Sequence, residues 1–459
     1  MLNKPLIFLF LIILGTSLCV INTEAKKILK NHYCTIDPED REAARNNPQT
    51  LYALNLAKNP IYKIEEIDKK AARKNLESNF TKGLLQNPFY EADESDRDFI
   101  KKNPDTNFAE EVSRKQSYKI TNEDKDFLKK HPLFKLSLGL IKNPGFKIDT
   151  SDKDFARSNF ETDFAKSITE LFKYKVEKAD KNILYKYPKS KFAKGLVKNP
   201  SYRIEKEDKL FIRQNIDEPI IAILTQFPTY QAEKEDKNIA RDNINSSFAS
   251  GLALNAGYKI EPEDKELARN IPNSGFALSL GLNKNYKVEP QDKLVARENP
   301  DSKFAEALGR NINYVVDNDD RDFVLKNPNT QLAKSLTQNI NYKIKEIDKT
   351  FARKHVNSSV SKLTQKPSYG ITSKDKDNAR KNPNSQFAYS LAMNPKYKIE
   401  DDDIQFARNN PYTKFAEGLI QNPNYDLELQ DKIIARKNTA SNFAYALSLK
   451  LLQCGMKNK

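Results

Sequence analysis

An aspartate recurs every 28 residues through this chain: Asp40, Asp68, Asp96, Asp124, Asp152, Asp180, Asp208, Asp236, Asp264, Asp292, Asp320 and Asp348. One residue is then lost, and the series resumes at Asp375, Asp403 and Asp431. Fifteen copies of one unit therefore run from about Cys34 to Leu449, leaving no room for a separate catalytic domain. Length alone, at 459 residues, would suggest two to four globular domains. The repetition overrides that expectation.

Twenty-eight residues are four heptads, so a long coiled coil is the first fold to test. Proline excludes it. Pro stands eight residues after the aspartate in nine copies, among them Pro48, Pro188 and Pro300, and a second Pro follows about twelve residues later in eight, as at Pro60, Pro200 and Pro423. Each would cost a helix interior roughly 3 kcal/mol, so the unit must break into two short segments.

The first segment begins with Asp, Glu or Thr three places before the key aspartate in fourteen copies. That residue caps a helix, and the aspartate falls at the third helical position, where its carboxylate reaches back to the cap amide and meets the positive end of the dipole. Arg or Lys follows the aspartate directly, except at Ile404, and recurs four places later, except at Tyr185 and Leu325. Between them lie adjacent apolar pairs such as Phe155-Ala156 and Leu267-Ala268, a narrow buried stripe. Asn-Pro ends the segment. The second segment opens with Ser or Thr in thirteen copies and continues as x-Phe-Ala-x-x-Leu, a capped amphipathic helix of about two and a half turns.

Neither helix persists alone at this length. Stacking each copy on the next buries Phe, Ala and Leu, which makes the expected fold an all-α, right-handed α-solenoid of stacked short helix pairs. With helices about 8–10 Å apart, fifteen copies would form a curved rod on the order of 120–150 Å long. The string "DKxxARKNPxSxFAxxLxxNPxY" resembles the leucine-rich-variant and HEAT-like class of α-helical solenoids. This unit is shorter than a HEAT repeat, a few residues longer than a leucine-rich variant, and uses Phe where the latter has Leu. The resemblance implies a scaffold with a binding surface, with no chemistry attached.

Residues 1–25 read differently. Lys4 precedes an apolar run from Pro5 to about Leu14, and Thr23-Glu24-Ala25 offers small residues at a cleavage site, as in a secretory signal peptide. The expected organisation is a signal at 1–25, the solenoid at 26–449 and a C-terminal tail at 450–459. Nothing later in the chain is apolar for 18 residues, so no membrane span is expected in the mature protein, which would be extracellular, or periplasmic in a bacterium. Cys34 and Cys454 stand at opposite ends of the repeat array; a rod would keep them from pairing within one molecule and leave only linkage between molecules open.

In a stack each repeat position becomes a column. The arginines five places after the aspartate, Arg213, Arg241, Arg269 and Arg297 among them, either bond the neighbouring copy or, with Lys209, Lys237, Lys265 and Lys293, form a stripe that binds anions. Tyr202, Tyr230, Tyr258 and Tyr286 represent a column of tyrosines six places before the aspartate. Each either packs beneath its turn with the hydroxyl on a backbone group or offers a stacking platform beside the Lys or Arg that follows. A net charge of +15 favours anionic partners. Positions two after the aspartate (Glu42, Lys70, Asp98, Asn182, Leu210, Leu294) follow no rule and suit an irregular protein partner.

Enzymatic signatures are lacking: His32, His131 and His355 are isolated, and no phosphate-cradling loop or nucleophile–base pair is present. The acidic runs Asp401-Asp402-Asp403 and Asp317-Asn318-Asp319-Asp320 fall on capping positions and lack the Gly and Glu of an EF-hand. Asn79, Asn245 and Asn357 lie in N-x-Ser/Thr sequons. The expectation is a secreted scaffold that needs no cofactor or metal and binds a protein partner or builds an extracellular assembly, with binding of anionic polymers such as sulfated glycans or nucleic acid as the alternative. On this reading Asp208→Ala costs about 1 kcal/mol as a lost cap.

Overall fold

The computed structural model describes residues 34–457, so the signal sequence read at 1–25 lies outside the described residues. Among these residues there are fifteen helix pairs and no strand, an α-solenoid architecture. The first helix has nine residues in every copy, as in Lys206–Gln214, and begins where the sequence places it. Asp208 sits at the third position and its carboxylate accepts the Glu205 amide at 2.7 Å. The second helix starts from a Ser or Thr whose oxygen accepts the amide three residues on, as Ser246 does from Ala249. Copies without that hydroxyl differ: Glu218 makes no side-chain cap, and Pro219 follows it at the first helical position.

The chain divides into two compact units. In Glu91–Gly370 the second helices pack one on the next in series, for example Ser247–Leu254 on Gly275–Leu282 and Gly275–Leu282 on Lys303–Arg310. First helices lie mainly against the second helix of their own copy. The apolar core follows the second helices: Phe248, Phe276, Phe304 and their Ala and Leu companions are fully buried. Each such Phe contributes roughly 1.5–3 kcal/mol by burial. On the first helix the second residue of the apolar pair is the more deeply buried; Ala156 and Ala268 are covered, while Phe155 and Leu267 are half-exposed, and Phe211 is an exception that is buried beside Ile212.

The stack is also tied through its backbone. The amides at the start of a second helix have no intrahelical acceptor, and one of them reaches the turn of the preceding copy: Phe304 N–H donates to Pro272 O at 2.9 Å and Leu332 N–H to Pro300 O at 2.9 Å. Close approach is enforced elsewhere by glycine. A Cβ on Gly251 would lie 2.0 Å from Thr225 Oγ1 and 2.5 Å from Ala222 O in the neighbouring second helix.

The copy that lost a residue has a distinct solution. Its second segment, Ser359–Gln365, is a 3-10 helix, which rises further per residue than an α-helix and so covers a similar span with one residue fewer. Lys366 then takes the place of the usual Asn, and Gly370 in the following turn has φ of 65°.

The other unit, Met1–Tyr90 with Ile371–Lys459, overturns two expectations. Residues read as a tail continue the last helix, Asn442–Lys457, because Leu451 and Leu452 are buried and Gly455 packs against Asn59. That helix lies against Leu51–Lys58, the second helix of the first copy. Cys34 and Cys454, expected to be held apart, form a disulfide within the molecule. Around it Arg436 Nε donates to Asp40 at 2.6 Å, Lys432 Nζ to Asp37 at 2.9 Å and Asn55 to Ser448 at 3.0 Å. The last copy thus directs at the first the same cations that other copies direct at their successors. Local periodicity carries no information on which distant copies meet, which is why the two cysteines were expected to stay apart.

Candidate binding columns and the network that holds them

The network is built around the buried aspartate. Asp236 has no exposed surface; one carboxylate oxygen accepts the Glu233 amide at 2.8 Å, and the other accepts the Tyr230 hydroxyl at 3.0 Å and Arg213 Nε, from the preceding copy, at 2.7 Å. Asp264 repeats the arrangement with Tyr258 (3.0 Å) and Arg241 (2.8 Å), and Asp292 with Tyr286 (2.9 Å) and Arg269 (2.7 Å). Arg297 reaches Asp320 at 2.8 Å beside the Tyr314 hydroxyl, also at 2.8 Å. These buried carboxylates are tolerated because both oxygens have donors and a guanidinium supplies the opposite charge.

The lysine after each aspartate is equally committed. Lys209 Nζ donates to Gln231 O at 2.9 Å and to Glu233 at 2.5 Å; Lys237 and Lys265 repeat this with Lys259 O and Glu261, and with Lys287 O and Glu289. Lys293 pairs with Asp317 at 2.7 Å. The same ammonium groups lie about over the tyrosine rings, Lys237 being 5.5 Å from the Tyr258 centroid and Lys265 5.1 Å from that of Tyr286. The capping glutamate is bridged from both sides: hydrogen bonds from Lys209 and then Arg213 draw the Glu233 carboxyl down to about 2.

The structure therefore brings together all twelve residues of the candidate ladder, in a chain of inter-copy bonds. Tyr202 belongs to it, its hydroxyl 2.5 Å from Asp208. The hydroxyls reach this buried carboxylate and not a backbone group, and burial followed by the aspartate's charge holds the tyrosines far above their ordinary range. The rings are covered. Hydrogen bonds to Asp236 and Asp264 outweigh burial at Arg213 and Arg241 and raise both guanidinium groups further.

The exceptions in the sequence obey the same chemistry. Where Tyr185 replaces Arg, its hydroxyl bonds Asp208 at 2.8 Å and the buried Lys181 supplies the charge at 2.7 Å. Where Leu325 replaces Arg, Arg321 moves in on Asp348 at 3.3 Å. Cys34 replaces a tyrosine, and Tyr52 from the next helix donates to Asp40 at 3.2 Å instead.

Asparagine forms a second column that sequence reading placed at helix ends without seeing its reach. Asn199 is buried and its amide donates to Thr169 O, Leu171 O and Tyr174 O of the preceding copy at 2.6, 3.0 and 3.0 Å. Lys366 does the same work from its position, donating to Asn339 O at 2.8 Å, and burial lowers its ammonium to about 8. His131 and His355 cap first helices and stack on Phe134 and Phe351.

One basic column, named in the sequence only as a neighbour of the tyrosines, stands apart from the network. The residue directly after the buried aromatic of each turn, Lys in Lys147, Lys259 and Lys287, is exposed, and these ammonium groups have no partner among the described residues. The only signal for it was its regular place beside a buried ring. A cleft of about 400 Å³ bounded by Lys237, Arg241, Gly257, Lys259 and Glu261 opens beside this column. Among the described residues no group of three or more His, Cys, Asp or Glu could hold a metal ion, and no helix is long and apolar enough to cross a membrane.

Fold and network together define an α-helical solenoid of 28-residue repeats joined by a buried Asp–Tyr–Arg network. Comparison with protein-family models, with curated proteins and with solved structures gave no match.

Proposed function

We propose that the chain is a secreted scaffold that binds a protein partner, or joins an extracellular assembly, through the outer face of its first helices. One contrast carries this reading. The repeating Asp, Arg and Asn columns are spent on neighbouring copies, whereas the column two residues after the aspartate is exposed and changes chemistry from copy to copy: Asn182, Leu210, Asn238, Glu266, Leu294. Leu210 is 59% exposed and Leu294 44%. A uniform polymer would meet the same residue at each step; a face that changes suits a folded protein surface. The Cys34–Cys454 disulfide supports an oxidising compartment. Anionic polymers remain the alternative, but Arg213, Arg241, Arg269 and Arg297 already face carboxylates.

The test is capture of partners from the organism's extracellular material by the intact protein and by a Leu210→Asp/Leu294→Asp variant. A specific protein retained at raised salt and lost with the variant supports the reading. An unchanged set of captured proteins would sink it, and retention that collapses steeply with salt would favour the polymer.

A further inference from the structure

We propose that one edge of the unit Glu91–Gly370, formed by the turns that lead from each second helix to the next copy's first helix, docks on a lipid bilayer bearing anionic headgroups. This edge is distinct from the outer helix face invoked above.

The first observation is a row of uncompensated charge. Lys119, Lys147, Lys175, Lys259, Lys287 and Lys343 each follow the buried aromatic of their turn and are exposed. None of their ammonium groups has a partner among the described residues, in contrast to the paired lysines one helix away. Their backbone is nevertheless fixed, because the preceding copy's cation grips their carbonyls: Lys125 Nζ holds Lys147 O at 3.0 Å, and Lys237 and Lys265 hold Lys259 O and Lys287 O at 2.9 Å. The side chains project from an ordered edge.

The second observation is what the edge omits. From Gln116 to Ser368 the two positions before each buried aromatic and the one after it contain no Asp or Glu. Acid enters these turns only at the capping position, where residues such as Glu233, Glu261 and Glu289 are already bridged by the preceding copy's Lys and Arg, so the ammonium groups beside the aromatics are the charge left uncompensated.

The third decides between partners. Interleaved with the lysines are large apolar side chains directed to solvent: Phe172 is 74% exposed, Ile312 66%, Val315 70% and Ile340 85%. A sulfated glycan has no use for aliphatic side chains. Single-stranded nucleic acid needs aromatic faces, and the tyrosines of these turns are buried with their hydroxyls on aspartates. A bilayer surface uses both kinds of residue, headgroups meeting the ammonium groups and the acyl boundary receiving the apolar tips. With no membrane-crossing helix among the described residues, the contact would be a surface one.

The experiment is co-sedimentation of the full chain with vesicles of phosphatidylcholine alone and of phosphatidylcholine mixed with phosphatidylserine, with circular dichroism to verify that each variant folds. The wild type should bind only the mixed vesicles. Lys147→Glu/Lys259→Glu/Lys287→Glu should abolish binding, whereas Lys130→Glu/Lys326→Glu/Lys354→Glu, an equal charge change at the C-terminal ends of first helices, should retain it. Ile312→Ser/Ile340→Ser should weaken binding by about tenfold or more, as expected when buried aliphatic area is removed. Equal binding to both vesicle types, equal loss with both charge triples, no binding at all, or an isoleucine pair that binds like wild type while heparin or single-stranded DNA competes would each overturn the proposal. Leu210→Asp/Leu294→Asp should leave vesicle binding intact, which separates this outcome from failure of the partner-binding reading.

Discussion

Phe146 differs from the tyrosines of its column by one hydroxyl, and the loss is felt at Asp152, whose Oδ1 is buried without a hydrogen-bond donor. The preceding copy offers Lys129 there, at 3.5 Å, where others offer Arg. Phe146→Tyr should therefore stabilise the protein by about 1 kcal/mol, read as a raised urea midpoint. Asp208→Ala should cost about 3–5 kcal/mol in the same measurement and not the ~1 kcal/mol of a lost cap, since it strands the buried Lys181 and the Tyr202 hydroxyl. The tyrosine column also sets an alkaline limit. Unfolded tyrosines ionise near 10.0, but Tyr202, Tyr230, Tyr258 and Tyr286 are held above that by burial and the adjacent aspartate. Above this pH the unfolded chain binds fewer protons than the folded one, so stability, complete below it, falls as pH rises. Tyr258→Phe should make that fall shallower between about pH 9 and about pH 11. At this scale the sequence disclosed the order of charges along each helix. It did not disclose their destinations, because Arg213 and Asp236 are 23 residues apart and only packing joins them.

Among the elements, the caps and stops were legible: Ser246, Pro262 and the residues before Pro all lie at the boundaries that backbone chemistry requires. What the 27-residue copy would do was not, since a deleted residue can be absorbed by a loop or by tighter winding, and only the neighbouring helix decides. In the turn after Ser359–Gln365, Gly370 lies in the left-handed region, and Gly370→Ala should cost about 1–2 kcal/mol. Gly251→Ala meets a different obstacle, the Thr225 hydroxyl and Ala222 carbonyl of the adjacent helix, and should cost about 1–3 kcal/mol by overpacking. Thermal melts of the two variants check both figures.

For the molecule as a whole, the repeat count and helical class were readable, while the meeting of the two ends was not, because no residue type encodes it. Arg436 and Lys432 look like any other copy's cations until Asp40 and Asp37 are found opposite them. Repeat arrays fray from their outermost units, which have only one neighbour. Here the first and last copies cover each other, and a disulfide spanning 420 residues fastens them. Reducing that bond should lower stability by about 2–4 kcal/mol, measured by urea unfolding with and without reductant.

Because residue 34 and residue 454 are covalent neighbours, the first and last copies adjoin much as successive copies do elsewhere. A gene rearranged to join residue 457 to residue 34 through a short linker and to open instead at the exposed Asn329 turn should yield a protein with the same circular dichroism spectrum and a comparable melting temperature. The order in which the copies are synthesised would then be a matter of heredity and not of architecture.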